Sequence, residues 1–168
     1  MKTIYLAGGC FWGTQKFLDQ FPGVVSTQTG YANGRTENPT YKEVCGGSGH
    51  AETVKVVFDE ARLPLGKLLD YYFLAIDPAS VNKQGEDTGE QYRTGIYYED
   101  AALLPAIREV YDRKAAELER AGKRIAVELR PLEQFFSAEE YHQKYLDKNP
   151  TGYCHLPPAL FRVAEGEK

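Results

Sequence analysis

The order strand, helix, strand, strand, helix, strand predicts an α/β (α+β) fold. The expected form is a two-layer ferredoxin-like sandwich built from split βαβ units, with an additional C-terminal helix, strand and coil. Three observations carry this. Apolar residues alternate with polar ones in short β-branched runs, recur at helical spacing in longer ones, and are separated by Gly and Pro at the points where one pattern gives way to the other. With 168 residues and a prior of about 150 per domain, the expected organisation is one catalytic domain over 1–168, with a mobile coil from about residue 147.

The first strand is Lys2 to Ala7, stopped by Gly8-Gly9. A helix from Phe11 or Trp12 to Phe21 follows, with Trp12, Phe17, Leu18 and Phe21 at helical spacing and Pro22-Gly23 as its stop. Val24 to Tyr31 reads as the second strand. The stretch from Gly30 to Gly49 is rich in turn dipeptides, and a loop of that length is more often functional than idle. Thr53 to Phe58 alternates as a half-buried strand, and Pro64 opens an apolar helix from Leu65 to about Ile76, ended by Asp77-Pro78. Thr94 to Tyr98 is a strand, Asp100 to Ala121 a long amphipathic helix with an irregular first turn at Pro105, and Ile125 to Leu129 a last strand. Ser137 to Glu140 reads as the cap of a helix reaching about Leu146, with Asn149 to Pro158 as coil.

Twenty Lys and Arg against 24 Asp and Glu give a net charge of -4, which leaves no positive excess for a phosphate backbone and speaks against nucleic acid. The longest apolar run, Tyr71 to Ile76, is far below a membrane span. Three cysteines are too few for a disulfide scaffold. The short stretch before Cys10 has no apolar signal region, so a reducing, cytoplasmic setting is expected. The expected oligomeric state is a monomer.

Cys10 lies in Gly9-Cys10-Phe11-Trp12-Gly13, at a helix start whose partial positive charge favours a thiolate, which is the setting of a nucleophile. Phe11 and Trp12 would hold an apolar methyl or thioether group beside it, although two aromatics opening a helix also suit a core. Glu52, at the head of an apolar strand, is placed for partial desolvation and a raised pKa, as a general acid requires. Cys154, in a Gly- and Pro-rich coil, suits a thiol that swings toward a partner, or is a stray one. Cys45 reads as structural. Cys10, Cys45, His50, Cys154 and His155 are zinc-competent types, but without CxxC or HxxxH spacing no metal site is expected. Asp87, Tyr41 and Tyr92 are not singled out by spacing alone.

Together these segments closely resemble the peptide methionine sulfoxide reductase A family. The match runs through Gly9 to Gly13, Gly30-Tyr31-Ala32, Asn38 to Tyr41, Gly49-His50-Ala51-Glu52 and Asp87 to Thr94, then Ala138 to Gln143 and Gly152-Tyr153-Cys154. The resemblance implies Cys10 as nucleophile, Phe11 and Trp12 as walls of a pocket for the substrate methyl group, and Glu52 as acid. It implies Tyr41 and Tyr92 as donors to the sulfoxide oxygen and Asp87 as a residue that helps place substrate and water. It also implies Cys154 as the resolving thiol and Cys45 as non-catalytic. No cofactor is implied. Thioredoxin, or dithiothreitol in vitro, would reduce a Cys10-Cys154 disulfide, and the substrates would be free and protein-bound methionine S-sulfoxide. Two other classes compete: a cysteine hydrolase pairing Cys10 with His50, and a non-catalytic peptide-binding module using the aromatic pocket.

Overall fold

The computed structural model describes residues 1–162. β1 (Lys2–Gly8) leads into α1 (Phe11–Asp19), and β2 (Val24–Ala32) returns toward a short α2 (Tyr41–Cys45) inside the long loop. β3 (Ala51–Phe58) and α3 (Leu65–Leu74) follow. A small hairpin then pairs β4 (Lys83–Gln84) with β5 (Asp87–Thr88), and a 3-10 turn at Glu90–Tyr92 leads to β6 (Thr94–Tyr98). α4 (Leu104–Arg120), β7 (Glu128–Pro131), β8 (Phe135–Ser137) and α5 (Tyr145–Lys148) complete the order, with further 3-10 turns at Glu140–His142 and Pro158–Leu160.

The main sheet runs β7-β6-β1-β3-β2-β8. Its inner four strands are antiparallel neighbours in the order that two split βαβ units give, so the predicted sandwich is present. β7 joins parallel to β6, and β8 antiparallel to β2. Alternation divides each strand between two faces. Ile4, Leu6, Val54, Val56 and Phe58 share one buried cluster with Phe17 and Leu18 of α1 and Leu65, Leu68 and Leu69 of α3, while Tyr5, Ala7, Ala51 and Tyr97 pack on the other side with Phe135. α4 adds Ile107 and Val110 to the larger cluster. The irregular turn foreseen at Pro105 is the 3-10 turn Ala101–Leu103, capped where the Asp100 carboxylate accepts from the Ala102 N–H at 2.9 Å.

The helix expected from Ser137 to Leu146 is absent. Ser137 ends β8 opposite Gly30, and the Ala138 N–H donates to Thr29 O at 3.0 Å. The Gln143 side chain then brackets Thr29, accepting from its N–H and donating to its carbonyl, both at 2.9 Å. Lys144 takes a left-handed φ of 55° before the four-residue α5. The capping pattern loses to the unpaired edge of β2, which offers more hydrogen bonds than an isolated helical turn. The strand expected over Ile125 to Leu129 is shifted for a similar reason, because the Ala126 N–H donates to Pro78 O at 2.7 Å before pairing with β6 begins. Of the coil expected after about 147, the described part is docked, with Leu156 buried; residues 163–168 lie outside the described residues.

Candidate active site

Cys10 is the N-cap of α1, at the end of the central strand. Gly9 makes the corner with a φ of +85°, a conformation that L side chains rarely adopt. Thr14 Oγ1 lies 3.1 Å from both Gly8 O and Cys10 O and ties the corner to the first turn. Cys10 is 6% exposed. The backbone N–H groups of Trp12 and Gly13 act on its sulfur as a helix start should, favouring the thiolate. Burial opposes them, joined by the Glu52 carboxyl once that group is charged, and the thiol is pushed above its ordinary value. The helix start therefore does not by itself bring the thiol below its ordinary value.

Glu52 stands on β3 opposite Tyr31 and is 1% exposed, which rules out a surface glutamate. Its Oε1 accepts the Phe11 N–H at 3.1 Å. Its Oε2 is buried with no hydrogen-bond partner. Burial, with a smaller contribution from Asp87, pushes its pKa up to about 8 against the lowering effect of the Phe11 N–H. A carboxyl raised this far favours its protonated form at neutral pH.

The other residues of the pattern gather around this pair. Tyr41, on the first turn of α2, and Tyr92, on the turn before β6, are both raised by burial first and by Glu52 next. Cys10 also acts on Tyr92, and Asp87 acts on both Cys10 and Glu52. α2 forms because Thr40 and Glu43 close a capping box, and the Tyr41 N–H donates to the Glu139 carboxylate at 3.0 Å. Arg93 braces the loops from behind, donating to Gly49 O at 2.8 Å, Glu90 O at 3.0 Å and Asn33 O at 3.2 Å while paired with Glu128 at 2.7 Å.

Phe11 and Trp12 divide their labour. Phe11 is fully buried among Tyr31, Tyr41 and His142 and backs the site from the core. Trp12 is half-buried, stacked on Tyr145 at 3.8 Å between centroids, and its Nε1–H donates to His142 Nδ1 at 2.9 Å. His142, Tyr145, Glu139 and Tyr31 are partners that sequence reasoning gave no role. The motif Ala138 to Gln143 was the available signal, and reading it as a helix hid its aromatic faces.

Cys154 lies against α1: a Cβ added to Gly13 would meet its Sγ at 3.0 Å. Tyr153 Oη donates to Asp87 at 3.0 Å, joining the coil to the small hairpin. Cys45 is exposed at the end of α2 and shares a hydrogen bond with Tyr41, so it borders the site and is no core residue. His50 does not pair with Cys10. Its Nε2 lies 2.7 Å from Thr36 O and its Nδ1 has no hydrogen-bond partner, which removes the base that a hydrolase needs. Among the described residues no three His, Cys, Asp or Glu side chains gather as a metal site.

The site thus sets the Cys10 thiol beside a buried carboxyl, with no imidazole hydrogen-bonded to the sulfur. The chain belongs to the peptide methionine sulfoxide reductase family, whose model matches residues 2–166. It is 55% identical over 165 residues to peptide methionine sulfoxide reductase MsrA of Lachnoclostridium phytofermentans, covering 98% of both chains. It is 51% identical to the MsrA of Clostridium acetobutylicum, covering 96% of this chain and 99% of that one. Among solved structures, methionine sulfoxide reductase A of Corynebacterium diphtheriae matches with a TM-score of 0.85 and 41% identity, over 91% of this chain and 77% of that one. Mxr1 from Saccharomyces cerevisiae in reduced form matches with a TM-score of 0.82 and 39% identity, over 91% and 88%. The protein is thus a methionine sulfoxide reductase, an oxidoreductase.

Proposed function

We propose that the protein reduces the S epimer of methionine sulfoxide, free and within oxidised proteins, through a sulfenic acid on Cys10 that Cys154 resolves as a disulfide. Thioredoxin then reduces that disulfide, and no cofactor takes part. The observation that carries this reading is the unpaired, buried Oε2 of a Glu52 whose pKa is pushed up to about 8. A sulfoxide sulfur becomes electrophilic when its oxygen receives a proton or a strong hydrogen bond. Glu52 donates to that oxygen, Tyr41 and Tyr92 hold it, and the Cys10 sulfur attacks. The carboxylate left behind takes up the thiol proton, so Glu52 ends as it began, with thiol plus sulfoxide converted to sulfenic acid plus thioether.

The reading places the sulfur's methyl group toward Trp12, its oxygen toward Glu52 and its open face toward Cys10. Only one epimer meets all three demands. All three cysteines are free, which suits a reducing cytoplasm where thioredoxin is available. A monomer suffices, since every residue of the route comes from one chain.

The test is turnover of the separated epimers, first with dithiothreitol and then with thioredoxin, followed by peptide mapping after sulfoxide treatment without reductant. S-selective turnover and a Cys10-Cys154 disulfide are expected. Equal turnover of both epimers, or a disulfide to Cys45, would overturn the corresponding part of the reading.

A further inference from the structure

Next to Cys154 stands an imidazole seated on the turn that carries Cys10. A Cβ on Gly9 would lie 3.1 Å from His155 Nε2, and one on Gly13 would lie 3.0 Å from its Nδ1. Two glycines of the motif therefore leave the cradle that the ring fills. His155 Nε2 lies 3.0 Å from Gly8 O. A carbonyl only accepts, so Nε2 carries the proton and the neutral ring keeps its lone pair on Nδ1. That Nδ1 is buried and has no hydrogen-bond partner. Cys154 Sγ lies 3.0 Å from the same point above Gly13, so lone pair and thiol share one side-chain-free surface on the first turn of α1, whose N-cap is Cys10.

We propose that His155 is the base of the resolving step, taking the Cys154 proton at Nδ1 as Cys154 Sγ attacks the Cys10 sulfenic acid and returning it to the departing hydroxide. The S–H bond of Cys154 breaks and its electron pair forms the S–S bond. The S–O bond of Cys10 breaks, and the hydroxide that leaves becomes water with the proton from the imidazolium. The Cys154 sulfur is oxidised by one state and the Cys10 sulfur reduced by one, so no further oxidant is needed. This rests on the sulfenic acid and disulfide proposed above.

Burial sets the resting protonation states of the pair. Burial holds the imidazole below its ordinary value, against the opposing pull of Gly8 O and Asp87. Burial likewise raises the Cys154 thiol, against the Leu156 N–H and Lys16. These groups, from β1, β5, α1 and the coil itself, are the ones that act on the pair. At neutral pH the ring is free to accept a proton and the thiol still has one to give.

The test mixes reduced protein with methionine sulfoxide in the absence of reductant. It follows methionine release, thiol loss and sulfenic acid, the last captured with a dimedone-type reagent. The variants are His155→Gln, whose amide N–H can replace Nε2–H toward Gly8 but has no basic nitrogen, and His155→Ala. In both, disulfide formation relative to methionine release is expected to fall about a hundredfold at pH 7, with sulfenic acid accumulating and the rate recovering as pH rises. Wild-type disulfide formation in His155→Gln, whether or not His155→Ala is slow, would leave the ring as an anchor and overturn the base. Wild-type protein that forms no Cys10-Cys154 disulfide would instead overturn the underlying reading, and its own peptide map shows this before any variant is made.

Discussion

Cys10 and Cys154 lie against the same first turn of α1, yet their surroundings are built differently. Cys10 ends the central strand of a six-stranded sheet, 6% exposed, with a carboxyl beside it and fully buried rings behind. Cys154 is half-buried in a coil held by a few point contacts: Tyr153 on Asp87, His155 on Gly8 and buried Leu156. The first region suits a step in which charge develops and water must be excluded. One fold holds two thiols against the same turn, one at a strand-to-helix corner and one in a docked coil.

The largest expected effect separates the two thiols outright. Cys10→Ser should release no methionine in a single turnover, whereas Cys154→Ser should release about one per enzyme and then stop at sulfenic acid. Measuring methionine per enzyme without reductant checks this, and a normal first turnover by Cys10→Ser would collapse the distinction.

Next comes the acid. Glu52→Gln keeps the shape of the side chain but cannot donate its proton, so the first reductive step should slow by about a hundredfold. Because the protonated carboxyl is the active form, the wild-type single-turnover rate should decline as pH rises through about 8. The variant should lack that inflection, and an unchanged rate and profile would move the proton source to the tyrosines.

The same carboxyl makes a stability prediction confined to the dry region. In the unfolded chain Glu52 ionises near its ordinary value of 4.5, while the folded protein keeps it protonated to about 8. Stability contributed by the protonated form is therefore lost as pH rises across that window, at about 1.4 kcal/mol per pH unit, and the loss levels off above it. Glu52→Gln should remove this dependence. Urea midpoints from pH 4 to 9 for both proteins test it, and parallel curves would show that Glu52 is solvated after all.

The smallest effect probes the shared surface. Gly13→Ala puts a methyl group 3.0 Å from Cys154 Sγ and His155 Nδ1, so the coil must shift by a few tenths of an ångström. Disulfide formation should slow by about threefold to tenfold, with the first methionine released on schedule. Stopped-flow thiol loss reads this directly, and an unaltered rate would mean that the coil does not dock there during recycling.

Local chemistry made much of this legible. Gly8-Gly9 before an amphipathic run placed Cys10 at a helix start, alternation from Thr53 to Phe58 placed Glu52 at the head of a buried strand, and Pro105 marked an irregular turn. Each depends on a residue and its near neighbours. The Ser137 to Leu146 segment shows the limit, since its capping residues were local and the edge of β2 that captured it comes from the other end of the chain. His142 and Tyr145 were hidden with it, because stacking on Trp12 joins residues more than a hundred positions apart.

The sequence by itself determined the first two thirds of the main strand and helix order, apart from the short α2 and the small hairpin, and the places of Cys10 at a helix start and Glu52 on a strand, because periodicity and residue type are carried within each segment. Tertiary structure alone decided that burial raises the Cys10 thiol and the Glu52 carboxyl, that His50 is spent on Thr36, and that Cys154 and His155 settle on Gly13. Those outcomes depend on how much water each group loses and on which distant group replaces it, and desolvation and through-space charge arise only when separate segments are packed together.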